Sequence, residues 1–311
     1  MFQRRDREAV KPARFRRPFL WQRKALGKEK LFLEREAMKE KPEKPGRLVR
    51  SGVRILLPAI MGMEEKVIFR NSKGLELRGI LHTPKEQTDS IVVMAHGFCS
   101  NKDRERTVET AELYAKNGMA ALRFDFGGSG ESYKTEITVG KQADDLKSAI
   151  GFVKSKGYKK IGLQGESLGG LVSILAYTEG IKTMVLWAPV TEKKNNVDKV
   201  LAQEGFSKEE FERTGHIIKK KDGKDFVIPK KYFEERMAVN QKKILSKIKC
   251  PVLILHGEKD DVVPLEDSKE AVKILKNSKL EIIAGLDHRF KFDDKKISLG
   301  LSLKWFKEHL K

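Results

Sequence analysis

Apolar runs of strand length alternate with longer stretches of helical periodicity along residues 65–311. Uninterrupted apolar runs, such as residues 91–94 and 252–255, are typical of strands buried on both faces of a sheet. The pattern predicts strands over residues 65–71, 75–82, 90–95, 120–126, 160–164, 183–188, 252–256 and 280–283. Helices are predicted over residues 107–117, 139–156, 168–179, 267–275 and 295–309. This order predicts an α/β fold with a doubly wound, mostly parallel sheet of about eight strands, opened by a hairpin.

One segment, residues 189–249, interrupts the alternation without a clear strand–helix rhythm. It is rich in lysine and contains several aromatic residues, and a connection of this length is unusual for a plain linker. We therefore predict a small cap inserted over the sheet.

The distribution of charge marks a boundary near residue 62. Residues 1–60 hold 18 Lys or Arg against 7 Asp or Glu, in a chain whose formal net charge is +20. We predict a disordered basic extension over residues 1–62, followed by the main domain at 63–311. Two other interpretations stay open: a basic arm for nucleic acid or membrane, and an Arg-rich targeting peptide. The basic composition of residues 1–60 would also be explained if this stretch lay upstream of the native start and were wrongly included in the reading frame.

Composition excludes two further classes. No apolar run reaches the roughly 18 residues of a membrane span, and the basic start does not resemble a secretory signal. The two cysteines, Cys99 and Cys250, cannot form a disulfide framework and favour a reducing compartment. We expect a cytoplasmic protein.

The strongest chemical signal is G-E-S-L-G-G at residues 165–170, which fits G-x-S-x-G between a predicted strand and a predicted helix. On such a turn Ser167 is exposed, the glycines let neighbouring backbone pass, and the helix N-terminus favours developing negative charge. The motif predicts that Ser167 is a nucleophile.

A serine nucleophile needs a base, and the chain contains six histidines. His288 lies in the loop after the last predicted strand, which opens at the same carboxyl edge of the sheet as Ser167. We predict His288 as the base. The other five occupy strand ends, the cap or the last helix: His82, His96, His216, His256 and His309.

The orienting acid should follow the seventh strand, where Glu258, Asp260 and Asp261 lie close together. Spacing alone does not separate Asp260 from Asp261. Two donors are needed for an oxyanion, and we predict the backbone N–H groups of Leu168 and Phe98.

The remaining motifs predict no cofactor and no metal. Residues 125–130 are glycine-rich but have neither the Lys-Ser/Thr of a P-loop nor the spacing of G-x-G-x-x-G. No Cys/His group has metal-ligand spacing.

Together these motifs resemble those of the α/β-hydrolase superfamily, over about residues 63–311. The resemblance rests on H-G-F at 96–98, D-F-G-G-S-G-E-S at 125–132, G-E-S-L-G-G at 165–170, residues 256–264 and D-H at 287–288. Their order is that family's serine, acid, histidine. In related members an acid followed by two residues and Val-Pro is the triad acid, which selects Asp260. The first 60 residues have no counterpart.

Within the superfamily the chain is similar to small cytosolic esterases, including cinnamoyl and feruloyl esterases, and to monoacylglycerol-lipase-like and S33-peptidase-like members. Residues 223–236 resemble the cap of the esterase group, which implies that Tyr232 and Phe233 contact substrate. The resemblance implies a serine hydrolase that cleaves carboxylic esters. The cap aromatics predict an apolar pocket, and we expect a small-molecule ester with an apolar acyl or aryl group. The oligomeric state stays open.

Three alternatives follow from the same residues. Amides and thioesters pass through the same intermediates, so a peptidase or thioesterase is the nearest alternative. A hydrolase-fold binding protein that uses residues 1–60 belongs to another class. An epoxide hydrolase or dehalogenase would need an aspartate nucleophile, which Ser167 argues against.

Overall fold

The computed structural model describes residues 62–192, 201, 205–290 and 294–310. The predicted basic extension, residues 1–62, lies outside these ranges except for Gly62. None of the described helices is long and apolar enough to cross a membrane.

Eight strands form one sheet in the order β1-β2-β4-β3-β5-β6-β9-β10, and two more form a separate hairpin, β7-β8. Pairs β1–β2 and β2–β4 are antiparallel, and the other pairs of the large sheet are parallel. The predicted mostly parallel sheet of about eight strands is confirmed. The strands are β1 (Met63–Arg70), β2 (Glu76–Thr83), β3 (Ser90–Ala95), β4 (Ala120–Phe124), β5 (Lys160–Glu166), β6 (Ile181–Trp187), β7 (His216–Lys221), β8 (Lys224–Pro229), β9 (Val252–Gly257) and β10 (Ser278–Ile283).

Helices cover both faces of the sheet, as expected for parallel strands. Alternate residues of β3 enter two separate cores: Ile91 and Val93 pack with the helices α2, α3 and α7, and Val92 and Met94 pack with α1 and α8. The described helices are α1 (Glu105–Lys116), α2 (Val139–Ser155), α3 (Leu168–Leu175), α4 (Lys208–Thr214), α5 (Lys230–Met237), α6 (Gln241–Leu245), α7 (Leu265–Ile274) and α8 (Asp294–His309).

The helix after Ser167 is shorter than predicted. It ends at Leu175 rather than at residue 179, and Ala176 is its C-cap. Thr178 O then accepts a hydrogen bond from Ile181 N at 2.9 Å, which closes a turn over Thr-Glu-Gly. Turn-forming residues therefore stop a helix that the apolar pattern would continue.

The segment between β6 and β9 has more regular structure than its sequence indicated. It contains α4, the hairpin β7–β8, α5 and α6, and we call residues 189–249 the cap segment. Phe211, Ile217 and Phe226 form an apolar cluster with Cys99 and Ile137 of the main domain. This cluster packs the cap segment against the loop that follows β3.

A buried network of charges fixes the loops after β3 and β4. The Lys102 ammonium lies 2.9 Å from Asp103, 3.0 Å from Asp125 and 2.5 Å from Glu131. The Asp125 carboxylate also accepts hydrogen bonds from the backbone N–H groups of Lys102 and Glu131. Burial alone would lower the pKa of Lys102, but the three carboxylates hold it above its usual value. Both loops are thereby held next to the end of β3.

His82 extends the polar interior on β2. Its Nε2 accepts a hydrogen bond from Arg123 Nε at 2.8 Å, and the side chain is buried. Burial, assisted by the Arg123 charge, lowers the pKa of His82 from 6.5 to about 4. The folded protein therefore holds this imidazole neutral at pH values where an unfolded chain protonates it.

We expect this histidine to make the protein sensitive to mild acid. Between pH 6.5 and 4 the unfolded state binds more protons, so stability is complete above 6.5 and falls as the pH drops through that window. The contribution is about 3 kcal/mol. His82→Gln keeps an acceptor for Arg123, so its unfolding free energy should fall by less than the wild type's between pH 7 and 4. Urea unfolding at both pH values measures the difference. His309→Gln is the control, and equal losses in wild type and His82→Gln would contradict the prediction.

Candidate active site

Ser167 lies on the sharp turn between β5 and α3. Its backbone has φ 54° and ψ −116°, a conformation that a residue with a Cβ rarely adopts without strain. Three backbone hydrogen bonds hold the turn: Ser167 N–H donates to Trp187 O, and Ser167 O accepts from Gly170 N and Val190 N. The strain is therefore fixed by β6 and by the first turn of the helix.

The glycines of the motif are required by close packing. A Cβ on Gly169 would lie 2.2 Å from Ala95 O, and one on Gly165 would lie 2.5 Å from Gly169 O. No side chain fits at these distances. The absence of side chains lets α3 approach the end of β3 and brings Ser167 to the loop that carries Phe98.

His288 connects Ser167 to Asp260. Its Nε2 lies 3.1 Å from Ser167 Oγ, and its Nδ1 lies 2.7 Å from Asp260 Oδ2. An ionised carboxylate can only accept, so Nδ1 carries the proton and Nε2 is left to accept from the serine hydroxyl. The structure thus joins the three residues that the sequence singled out, from the loops after β5, β9 and β10.

The structure also shows which of the two adjacent aspartates contacts His288. Asp260 is buried, whereas Asp261 is exposed. Asp260 Oδ1 accepts from Val262 N and Val263 N, and Oδ2 lies 3.2 Å from Nε2 of the buried His256. Burial alone would raise the pKa of Asp260, but hydrogen bonds from His256, His288 and Val263 N–H hold it well below its usual range. Asp260 is therefore a permanent anion beside His288.

His256 is a support for Asp260 that sequence reasoning missed. Its Nδ1 lies 2.7 Å from Ser268 Oγ and its Nε2 lies 2.9 Å from Val263 O. The only sequence signal was its position at the end of β9, four residues before Asp260.

The remaining histidines contact other groups. His96 lies with Nδ1 2.9 Å from Gly97 O and accepts from Phe126 N–H, and burial lowers its pKa. His82 accepts from Arg123, His216 Nδ1 lies 2.9 Å from Thr214 O, and His309 packs on Trp305. Within the described ranges, His288 is the histidine that reaches Ser167.

The two predicted oxyanion donors flank the serine. Leu168 begins α3, and a Cβ on Gly97 would lie 3.6 Å from Ser167 Cβ, which places the Phe98 loop against Ser167. Neither backbone N–H has an acceptor among the residues that the structure describes. Both groups can therefore donate to a bound oxygen.

Arg106 ties the serine turn to the histidine loop, and nothing in the sequence indicated it. Its guanidinium donates to the Glu166 carboxylate, adjacent to Ser167, and to Arg289 O, adjacent to His288. It also lies over the Trp187 and Phe290 rings, 5.3 and 5.6 Å from their centroids. This side chain fixes the relative positions of two loops that lie far apart in sequence.

The two predicted substrate contacts differ in position. The Tyr232 ring stacks on Phe98, with centroids 5.0 Å apart and planes at 22°. Phe233 is 2% exposed and packs on Phe211 in the cap segment's core. Tyr232 thus lies beside the loop of residues 96–100, which carries Phe98 and which we call the predicted oxyanion loop, whereas Phe233 has little surface to offer a ligand.

In the described part of the chain, Asp103, Asp125 and Glu131 are the carboxylates close enough together to hold a cation. The Lys102 ammonium already lies among them. A metal ion would have to displace a buried cation that all three carboxylates contact.

The sheet order, together with the serine turn at its carboxyl edge, defines an α/β hydrolase. The chain belongs to the BD-FAE family, whose model matches residues 80–275. It is thus a hydrolase, as the motif resemblance implied.

Several solved structures share the fold. Est1E from Butyrivibrio proteoclasticus with bound ferulic acid has a TM-score of 0.65 and 23% identity, covering 78% of this chain and 98% of that one. The α/β hydrolase GrgF from Penicillium sp. sh18 has a TM-score of 0.67 and 20% identity, covering 80% and 99%.

Curated relatives include thioester hydrolases. The chain is 28% identical over 217 residues to the mitochondrial palmitoyl-protein thioesterase ABHD10 of Bos taurus, covering 64% of this chain and 67% of the relative. It is 32% identical over 150 residues to the thiohydrolase aneE of Aspergillus aculeatus, covering 44% and 46%.

Proposed function

We propose that this protein is a serine hydrolase that cleaves carboxylic esters through an acyl-enzyme intermediate. The observation that carries the proposal is the continuous hydrogen-bonded chain from Ser167 Oγ through His288 to the buried carboxylate of Asp260. A hydroxyl is a weak nucleophile, and this arrangement supplies both the base and the anion that stabilises the base once it is protonated.

The first half of the reaction acylates Ser167. Its Oγ bonds to the acyl carbon, its proton passes to His288 Nε2, and the carbonyl electron pair moves onto the oxygen. The N–H groups of Phe98 and Leu168 stabilise that oxyanion. As the tetrahedral intermediate collapses, the bond to the alcohol oxygen breaks and that oxygen takes the proton from His288.

The second half releases the acid. A water molecule gives a proton to His288 Nε2 and bonds to the acyl carbon, and the oxyanion forms again at the same two N–H groups. The bond to Ser167 Oγ then breaks, and Oγ recovers the proton from His288. The cycle needs no group beyond this chain, the ester and water.

The aromatic pair Phe98 and Tyr232 favours an apolar acyl or aryl group in the substrate. Structural similarity to Est1E, which binds ferulic acid, supports the same choice. The named thioesterases among the relatives favour a second candidate, hydrolysis of thioesters.

Three substrates that share a butyryl group and differ in the bond to be cleaved distinguish ester hydrolysis from thioester and amide hydrolysis. We expect the wild type to cleave 4-nitrophenyl butyrate at least about 100-fold faster, in kcat/KM, than butyryl 4-nitroanilide, because the anilide must be protonated before it leaves. S-phenyl thiobutyrate is the third substrate. If its kcat/KM exceeds that of the oxyester about tenfold, the thioesterase function replaces this proposal. Hydrolysis of none of the three contradicts both.

A further inference from the structure

The cap segment contains a buried arginine with an unpartnered donor. Arg236, on α5, is 5% exposed, and its Nη1 has no hydrogen-bond partner among the described residues. Its Nη2 makes one long hydrogen bond, 3.4 Å to Glu192 O, and the side chain also hydrogen-bonds Tyr232. Nη1 carries two of the five guanidinium N–H donors, and within the described ranges both remain available to another acceptor.

Arg236 also has no carboxylate in ion-pair contact in the described part of the chain. Burial lowers the pKa of Arg236, and its interactions with Tyr232 and, to a smaller extent, with Asp267 partly offset that fall. Arginine nevertheless stays protonated in proteins. A buried cation without a contacting anion is costly, and proteins normally retain one only where it is paired or binds a ligand.

The position of Arg236 connects it to the reaction centre. Tyr232, one helical turn earlier on α5, stacks on Phe98 of the predicted oxyanion loop. Glu192, whose backbone O accepts a hydrogen bond from Arg236, follows Val190 by two residues, and Val190 N–H donates to Ser167 O. The guanidinium therefore adjoins both the segment that leaves the nucleophile and the aromatic side chain that covers the predicted oxyanion loop.

We propose that Arg236 binds a carboxylate carried by the substrate, so that the preferred esters are monoanionic. The inference rests on the proposed ester hydrolysis and adds its substrate class. A carboxylate suits a guanidinium because it can accept two parallel N–H bonds. The carboxylate can lie on the acyl side, as in a half-ester of a dicarboxylic acid, or on the alcohol side, as in an ester of a hydroxy acid.

Wild-type kinetics test the proposal directly. Methyl hydrogen glutarate is compared with methyl glutaramate, in which an uncharged amide of equal size replaces the carboxylate. The corresponding pair with one more methylene, methyl hydrogen adipate and methyl adipamate, tests the effect of chain length. Butyryl glycolate and butyryl glycolamide form the alcohol-side pair. We expect one side to show a kcat/KM preference for the anion of at least about tenfold. Equal rates within both pairs would overturn the proposal.

Variants assign the preference to this side chain. Arg236→Met should abolish discrimination between anion and amide while 4-nitrophenyl butyrate is still cleaved, and Arg236→Lys should keep part of the discrimination. Arg213→Met, an exposed arginine at the end of α4, should leave it unchanged. An equal loss on charged and neutral esters in Arg236→Met would instead show a structural role.

A further measurement tests the proposal without a variant. If Arg236→Met does not fold, inhibition of wild-type 4-nitrophenyl butyrate hydrolysis by glutarate, compared with glutaramide, replaces it. Equal inhibition by the two would overturn the proposal. Cleavage of 4-nitrophenyl butyrate without anion preference rejects this inference alone, whereas no cleavage of any ester rejects the proposed function.

Discussion

Ser167→Ala should lower kcat/KM for 4-nitrophenyl butyrate by about 10⁴-fold or more. The substitution removes the atom that bonds to the acyl carbon in the proposed reaction, whereas the N–H groups of Phe98 and Leu168 remain. Residual hydrolysis then comes from a water molecule near His288, without an acyl-enzyme. Steady-state kinetics with purified enzyme, checked by circular dichroism for an unchanged fold, measure the loss.

Ser173→Ala is the matched control for this variant. Ser173 lies on the same helix, and its hydroxyl donates to Gly169 O inside the core, away from His288. We expect its kcat/KM to stay within about threefold of the wild type, as for a change outside the reacting groups. If Ser167→Ala kept more than a tenth of the activity while folded, the nucleophile would have to be another residue.

Asp260→Asn should lower kcat by about 10³- to 10⁴-fold with a much smaller change in KM. An amide that faces His288 no longer fixes the proton on Nδ1, and it cannot stabilise the imidazolium that forms as Ser167 attacks. The loss should therefore fall on the chemical step and not on binding. Steady-state kinetics that resolve kcat and KM separately provide the measurement.

The adjacent aspartate provides the control. Asp261 is exposed, so Asp261→Asn should stay within about twofold of the wild type. The reverse result, with the large loss in Asp261→Asn, would show that the geometry around His288 had been assigned to the wrong carboxylate.

Much of the fold could be predicted because the strands are buried on both faces. The strand predicted over residues 90–95 coincides with β3 in both bounds, since the side chains of residues 91–95 each enter one of two cores. The serine turn was also predictable, because only glycine fits where α3 meets β3. Both features could be predicted because they depend on residues that are close together in the sequence.

The other features of the site depend on the tertiary structure. Spacing could not separate Asp260 from Asp261, because the direction of each side chain depends on how the turn after β9 folds. Arg106 and Glu166 lie 60 residues apart, and their contact depends on how α1 packs on the sheet, where it lies against β4. In the sequence Arg236 is one of many charged residues in a lysine-rich segment, and its burial could not be predicted from the sequence.

The pairing of β6 with β9 has a consequence for how this enzyme can diversify. These two strands are neighbours in the sheet although the whole cap segment separates them in sequence. The entropy cost of joining two strands through a flexible connection varies only logarithmically with its length, about 0.6 kcal/mol for each doubling, so length by itself constrains an insertion here very little. Segments of quite different size can be exchanged there while Ser167, Asp260 and His288 keep their places, provided that Val190, whose N–H holds the serine turn, is retained. Recombination at this one junction would give new substrate ranges on an unchanged catalytic scaffold.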